Sequence, residues 1–150
     1  MPQAEMLRKE NETGGQCGRL IMSETRAVPV IAVVDDDKSV RESLAEYMES
    51  VGYEVALFSS AEEFLESTRR RDDLQCMILD VRLPGMSGPE LFSQLTANRR
   101  QLPTIFITAH ADPAIAGWAT KPGVVSLLYK PFQPATLLKA VRSALTKSRP

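Results

Sequence analysis

The sequence predicts an open, doubly wound α/β domain built on a parallel sheet, and three observations carry that prediction. Five short apolar runs alternate with five segments of helical periodicity, beginning with a run. This is the pattern of right-handed βαβ units. Two of the runs, Val30-Ile31-Ala32-Val33-Val34 and Cys76-Met77-Ile78-Leu79, are apolar throughout, as strands buried on both faces are. Four of the five runs stop at a polar side chain: Asp35, Asp80, Thr108 and Lys130. In an open α/β sheet such ends share the carboxyl edge, where ligands bind.

Each element has a local reason. The first strand spans Val30 to Val34 and ends in Asp35-Asp36-Asp37, where Asp37 is placed to cap a helix. Val40, Leu44, Tyr47, Met48 and Val51 then recur at helical spacing until Gly52 stops them. Tyr53 to Phe58 alternates like a short strand. Ser60-Ala61-Glu62-Glu63 opens a second helix, with Phe64 and Leu65 inward and Arg69-Arg70-Arg71 near its end. Acid first and base last complement the helix dipole, which makes the arginine run a solvated terminus rather than a binding patch. The third strand ends at Asp80, and Pro84, Gly85 and Gly88 mark the loop behind it. A helix follows from about Pro89 to Asn98, with Leu91, Phe92 and Leu95 on one side. Pro103 to Ile107 is a fourth strand, ending in Thr108-Ala109-His110. Pro113 to Lys121 reads as a weak helix that holds Gly117 and is closed by Pro122. Val124 to Tyr129 is the fifth strand, and Pro134 to Lys147 the last helix, with Leu137, Leu138, Val141 and Leu145 on one side.

The bulk numbers bound the function. Of 150 residues, 43% are hydrophobic and 25% charged, ordinary for a globular protein. Lys plus Arg is 18 against 19 Asp plus Glu, so the total carries no signature of direct nucleic-acid binding. Two cysteines, Cys17 and Cys76, make no disulfide framework. No apolar stretch reaches membrane-span length, and the start lacks a secretion signal. A cytoplasmic protein without a membrane partner is the expectation. Residues 1–28 are polar and aperiodic and read as a disordered tail, with a helical turn around Ala4 to Arg8 at most. The folded domain is expected over 29–147, with 148–150 a short C-terminal tail.

The strand-end groups suit phosphate chemistry. Asp35, Asp36 and Asp80 crowded at one edge repel one another unless a cation binds, and Mg²⁺ takes carboxylate oxygens, waters and phosphate oxygens. Lys130 supplies a point charge and Thr108 a hydroxyl for a phosphoryl group. A carboxylate can itself act as nucleophile toward phosphorus, which makes Asp80 a candidate phosphate acceptor.

These residues resemble the receiver domain of bacterial two-component response regulators. The matching motifs are Val33-Val34-Asp35-Asp36, Ile78-Leu79-Asp80 with Leu83-Pro84-Gly85-Met86-Ser87-Gly88, Ile107-Thr108-Ala109 and Lys130-Pro131-Phe132. The resemblance covers about Val30 to Thr146 and is nearest to receivers of the FixJ type. It implies a flavodoxin-like (βα)5 fold with strand order 2-1-3-4-5. It implies that Asp80 takes phosphate from a sensor histidine kinase or a phosphotransfer protein. Mg²⁺ would be held by Asp36, Asp80 and the Arg82 main-chain carbonyl, with Asp35 assisting. Thr108 and Lys130 would contact the phosphoryl group, the Lys130–Pro131 bond would be cis, and Arg82 and His110 would tune phosphate loss. The only chemistry implied is self-catalysed phosphoryl transfer and autodephosphorylation. As a stand-alone receiver, the chain would signal to a separate downstream protein, or as a homodimer, through the face of the fourth helix, fifth strand and fifth helix. One departure matters: the family usually has Tyr or Phe three residues before the lysine, and here that position is Leu127. Trp118, inside the weak helix, is either a core side chain or an exposed anchor for a partner.

Two rival readings remain at this stage. A haloacid-dehalogenase-like phosphatase shares the strand-end aspartate, Thr, Lys and Mg²⁺, and Asp35-Asp36-Asp37 imitates its Asp-x-Asp opening. That family needs an acidic pair after the lysine, and none occurs from Lys130 to Pro150. A receiver-like binding module independent of phosphorylation is the other, with Leu127 in its favour and the acidic cluster against it.

Overall fold

The computed structural model describes residues 28–147. The expected tails, apart from Val28, and Cys17 lie outside the described residues. The elements run β1 (Val30–Val34), α1 (Lys38–Ser50), β2 (Glu54–Phe58), α2 (Ala61–Ser67), β3 (Leu74–Asp80) and α3 (Gly88–Ala97). They continue as β4 (Thr104–Thr108), α4 (Pro113–Ala116), a 3-10 turn (Gly117–Thr120), β5 (Val124–Tyr129) and α5 (Pro134–Lys147). All neighbouring strands are parallel, in the order β2-β1-β3-β4-β5. This is the 2-1-3-4-5 order expected of the fold.

The strand pleat divides the sheet into two cores. Ile31 and Val33 face α1 and α5 and meet Met48, Leu137 and Val141. Ala32 and Val34 face the other way, among Phe64, Leu91, Phe92 and Phe106. Both faces are covered, so the strands must be apolar at successive positions, and that explains the unbroken runs. Cys76 belongs to the first core. Burial pushes its thiol up to about 12, so it packs as a small apolar group.

The helix starts are set by side-chain caps. Asp37 accepts the N–H groups of Ser39 (2.9 Å) and Val40 (3.3 Å) at the head of α1. Ser60 accepts the Glu63 N–H (3.0 Å) at the head of α2. Ser87 and Glu90 form a reciprocal capping box at α3.

Two expectations are corrected. The arginine run does not end α2: the helix stops at Ser67, and Thr68 caps it with its hydroxyl bonded back to the Phe64 carbonyl at 2.6 Å. Arg69 instead pairs with Glu66 (2.9 Å), and Arg71 is bidentate to Asp73 at 2.9 and 2.8 Å. The weak helix over Pro113–Lys121 is a four-residue α-turn followed by the 3-10 turn. Pro122 forces Lys121 into extended backbone, φ −73° and ψ 145°. With Gly117 already costing helix stability, too few residues remain for a second α-turn.

Gly88 is where the fold meets the site. A Cβ there would press on the Asp80 carbonyl oxygen and sit 3.1 Å from both the Asp80 carbonyl carbon and Val81 Cα. Gly88→Ala should therefore destabilise the domain by about 1–3 kcal/mol in urea unfolding, because only backbone can yield. Gly117 has φ −66° and ψ −19°, with open space around a Cβ. Gly117→Ala should raise stability by about 0.4–1 kcal/mol in the same measurement, through lost freedom of the unfolded chain.

Candidate functional site

β1 and β3 are neighbours, with Val34 paired to Leu79, so Asp35 and Asp80 leave adjacent strands side by side. Asp35 is fully buried and held from every side. Its Oδ1 accepts the Asp37 N–H (2.9 Å), its carbonyl accepts the Arg41 guanidinium (2.7 Å), and its own N–H donates to the Phe58 carbonyl (3.1 Å). Asp36 is exposed at the mouth. Asp80 is 6% exposed, and its Oδ1 accepts the Arg82 N–H at 3.4 Å. One carboxylate oxygen from each of Asp35, Asp36 and Asp80 lies within 4.8 Å of the others.

Lys130 reaches this cluster from the end of β5. Its Nζ donates to Asp35 Oδ2 at 3.0 Å and stands 3.6 Å from Asp80 Oδ2. Burial pushes the Asp80 carboxyl up to about 6, helped by the charge of Asp35 and opposed by Lys130 and the Arg82 N–H. Burial alone would lower Lys130, but its bond to Asp35 and the charges of Asp80 and Asp35 outweigh that and raise it. Three carboxylates thus face one ammonium, and the excess negative charge is presented as closely spaced oxygen donors. That donor set fits a hard divalent cation such as Mg²⁺, with room at Asp36 for water or phosphate oxygens.

Thr108 ends β4, one residue beyond Ile107, the partner of Asp80. It is buried, and its hydroxyl oxygen accepts the His110 N–H (3.2 Å) and lies 3.4 Å from the His110 carbonyl. The backbone N–H of Lys130 donates to the Thr108 carbonyl at 2.8 Å, and the Lys130–Pro131 bond is cis. His110 is exposed. The Arg82 side chain points away from Asp80 to Asp112, the cap of α4, at 3.9 Å.

Leu127 is half-buried in the core that contains Phe106. Trp118 packs there too, edge-on to Phe92 (5.9 Å) and Phe106 (6.0 Å), with Lys121 Nζ 4.6 Å from its ring centre. It is thus a half-buried side chain packed against the core, with Lys121 over its ring. Three contacts around the site had no sequence signal: Arg41 on the Asp35 carbonyl, Arg82 on Asp112, and Glu62, whose Oε2 accepts the Met86 N–H at 2.8 Å. Each joins residues with no periodic or motif relation.

The family pattern of the response regulator receiver domain matches residues 31–142. Nodulation protein W of Bradyrhizobium diazoefficiens is 42% identical over 127 residues, 85% of this chain and 56% of that protein. The transcriptional regulatory protein FixJ of Azorhizobium caulinodans is 42% identical over 118 residues, 79% of this chain and 56% of that protein. Among solved structures, the response regulator StyR superposes with a TM-score of 0.74 at 46% identity, over 81% of this chain and 61% of that one. A CheY-like receiver domain protein from Methanospirillum hungatei does so at 0.73 and 26%, over 81% and 97%. The chain spans a little over half the length of the curated relatives it matches. No helix among the described residues is long and apolar enough to cross a membrane. With the family pattern spanning most of the chain and relatives at 42% identity over about four-fifths of it, the chain belongs to the response regulator receiver family of two-component systems.

Proposed function

We propose that Asp80 accepts a phosphoryl group from the phosphohistidine of a sensor histidine kinase or a phosphotransfer protein. The observation that carries this reading is the buried Asp80 carboxylate, set between two further carboxylates and an ammonium 3.6 Å away. An Asp80 oxygen attacks phosphorus, the bond to the donor's nitrogen breaks, and the imidazole leaves with the electron pair. Lys130 is placed to pair with a phosphoryl oxygen. Asp36, Asp80 and the Arg82 main-chain carbonyl are the residues that would hold Mg²⁺, with Asp35 assisting. When bound, the ion offsets the negative charge of the phosphoryl oxygens.

The response of the fold follows from Thr108. To donate to a phosphoryl oxygen its hydroxyl must turn its proton away from the His110 carbonyl, 3.4 Å off, and move toward Asp80, which draws on residues 109–112 and the cap of the short α4. The surface of α4, β5 and α5 then changes shape for a downstream protein or a second copy of the chain. Water returns the domain to rest by hydrolysing the aspartyl phosphate, with Arg82 and His110 flanking its approach. Turnover of an external substrate is not part of this reading. The near balance of 18 basic and 19 acidic residues suits signalling by protein contact rather than by holding nucleic acid, and a cytoplasmic setting goes with these partners. A binding module independent of phosphorylation is the second reading, supported by Leu127; it requires equal partner affinity in both phosphorylation states.

Radiolabelled acetyl phosphate with Mg²⁺ should label the wild-type chain and leave Asp80→Asn unlabelled. Equal labelling of both would remove Asp80 from the reaction. A second test uses titration. Without metal, Asp80 ionises at about 6 in the fold against an ordinary 3.8, so the fold binds more protons between those values. Stability owed to Asp80 therefore falls as pH rises through that window. Asp80→Asn should be the more stable protein at pH 7.5 without metal, by about 1–2 kcal/mol, and should lose that advantage near pH 4. Mg²⁺ should raise the wild-type melting temperature at pH 7.5 well above its effect on the variant. Scanning calorimetry at both pH values checks both statements.

A further inference from the structure

The loop behind Asp80 is pinned mostly by itself and its own helix. The Arg82 N–H returns to Asp80 Oδ1 (3.4 Å), the Gly88 N–H to the Val81 carbonyl (3.0 Å), and the Ser87 N–H to Glu90 Oε1 (2.8 Å). Pro84 has no N–H to offer. Besides the Arg82–Asp112 ion pair, two bonds to the loop backbone come from elsewhere. The Val81 N–H donates to the Ile107 carbonyl (2.9 Å), as the sheet requires. The Met86 N–H donates to Glu62 Oε2 at 2.8 Å, across a gap of 24 residues.

The head of α2 takes its side-chain cap from residues other than Glu62. The head of α2 is already served by Ser60, which caps Glu63, and by Glu63, whose Oε1 accepts the Ser59 N–H (2.6 Å) and hydroxyl (2.8 Å). Glu62 is exposed, yet its carboxylate reaches over the neighbouring loop to the Met86 N–H. Bonding to the Met86 N–H, and then to its own backbone N–H, holds its carboxyl below the usual range, so it is an acceptor at neutral pH. Gly85 leaves room for it. At φ +76° this residue turns the loop, and a Cβ there would lie 2.6 Å from Glu62 Oε2.

We infer that Glu62 is a positioning residue for the phosphoacceptor loop, its carboxylate holding the Arg82–Met86 backbone in the geometry that metal binding and phosphoryl acceptance at Asp80 require. This deepens, and rests on, the reading of Asp80 given above. The Arg82 carbonyl lies between the pin at Val81 and the pin at Met86. A metal ligand must be held to within about 0.5 Å, and supporting contacts of this kind do so. The loop is thereby tied to α2, an element that contributes no atom to the site.

The test uses the full chain as wild type, Glu62→Ala, Glu62→Gln and Glu66→Ala. Glu62→Gln keeps an acceptor oxygen without the charge, and Glu66→Ala removes a charge from the same helix away from the loop. Mg²⁺ affinity is followed by amide shifts, the Met86 amide by hydrogen exchange, and Asp80 labelling by acetyl phosphate. Glu62→Ala should weaken Mg²⁺ binding by about tenfold and speed Met86 exchange by about tenfold or more. Glu62→Gln should stay within about twofold of wild type and Glu66→Ala should match it, since neither removes the acceptor. Wild-type Mg²⁺ affinity in Glu62→Ala overturns the inference. So does a loss in Glu62→Gln or Glu66→Ala equal to that in Glu62→Ala, which would make charge the cause. If wild type itself neither binds Mg²⁺ nor takes label, the reading of Asp80 falls first and this inference falls with it.

Discussion

Three carboxylates and one ammonium share the carboxyl edge of this sheet, and their imbalance is the constraint around which the surrounding loops are built. Asp35 is fully buried yet held by a backbone N–H and by Lys130, with Arg41 on its carbonyl. Asp80 is nearly as buried and far less well bonded: a long bond from the Arg82 N–H and an ammonium at 3.6 Å. The difference sets the two apart. Asp35 is fixed by close bonds, whereas Asp80 has only the long bond and the more distant ammonium, so within this cluster it is the carboxylate less tightly held by protein groups.

Such a group is useful only if its surroundings cannot relax to satisfy it. Here the restraint is backbone. Gly88 packs so closely beneath the Asp80 carbonyl that no side chain fits, and the capping box at Ser87 and Glu90 fixes where α3 begins. The other side of the site is softer. Thr108 is engaged with a neighbour two residues away, and behind it stands a helix of only four residues. If Asp80 is phosphorylated as proposed, rigidity at β3 and the short helix after β4 favour movement on the second side rather than the first. Trp118, packed on Phe106 and Phe92, lies on that compliant side. Leu127 lines the same core, so an aromatic ring is present near the position where the family usually keeps one, though on a different element.

Much of this was legible in the residues alone. Unbroken apolar runs located β1 and β3 because both faces of the sheet are covered, and the polar residue closing four of the five runs marked the edge. Asp37 was readable as a cap because capping is local. Glu62, Arg41 and the Arg82–Asp112 pair were not, since each contact depends on the path of a long side chain between elements distant in sequence. The shortness of α4 was half visible in Gly117 and Pro122. The free-energy gap between one more α-turn and a 3-10 turn is too small for periodicity to decide. The end of α2 was misjudged for a similar reason: three arginines suit a helix terminus, but the Thr68 hydroxyl and the Arg100 guanidinium, 2.9 Å from the Thr68 carbonyl, stop the helix before them.

The bond between Lys130 and Asp35 joins positions 95 residues apart. Pairing of β1 with β3 is enough to bring Asp35 and Asp80 together, but the counter-charge arrives only with β5, at the far edge of the sheet. A chain that has closed the middle of its sheet without that edge therefore carries two confined anions and no cation. The strand that completes the edge of the sheet is therefore also the one that brings a positive charge to the carboxylates at its centre.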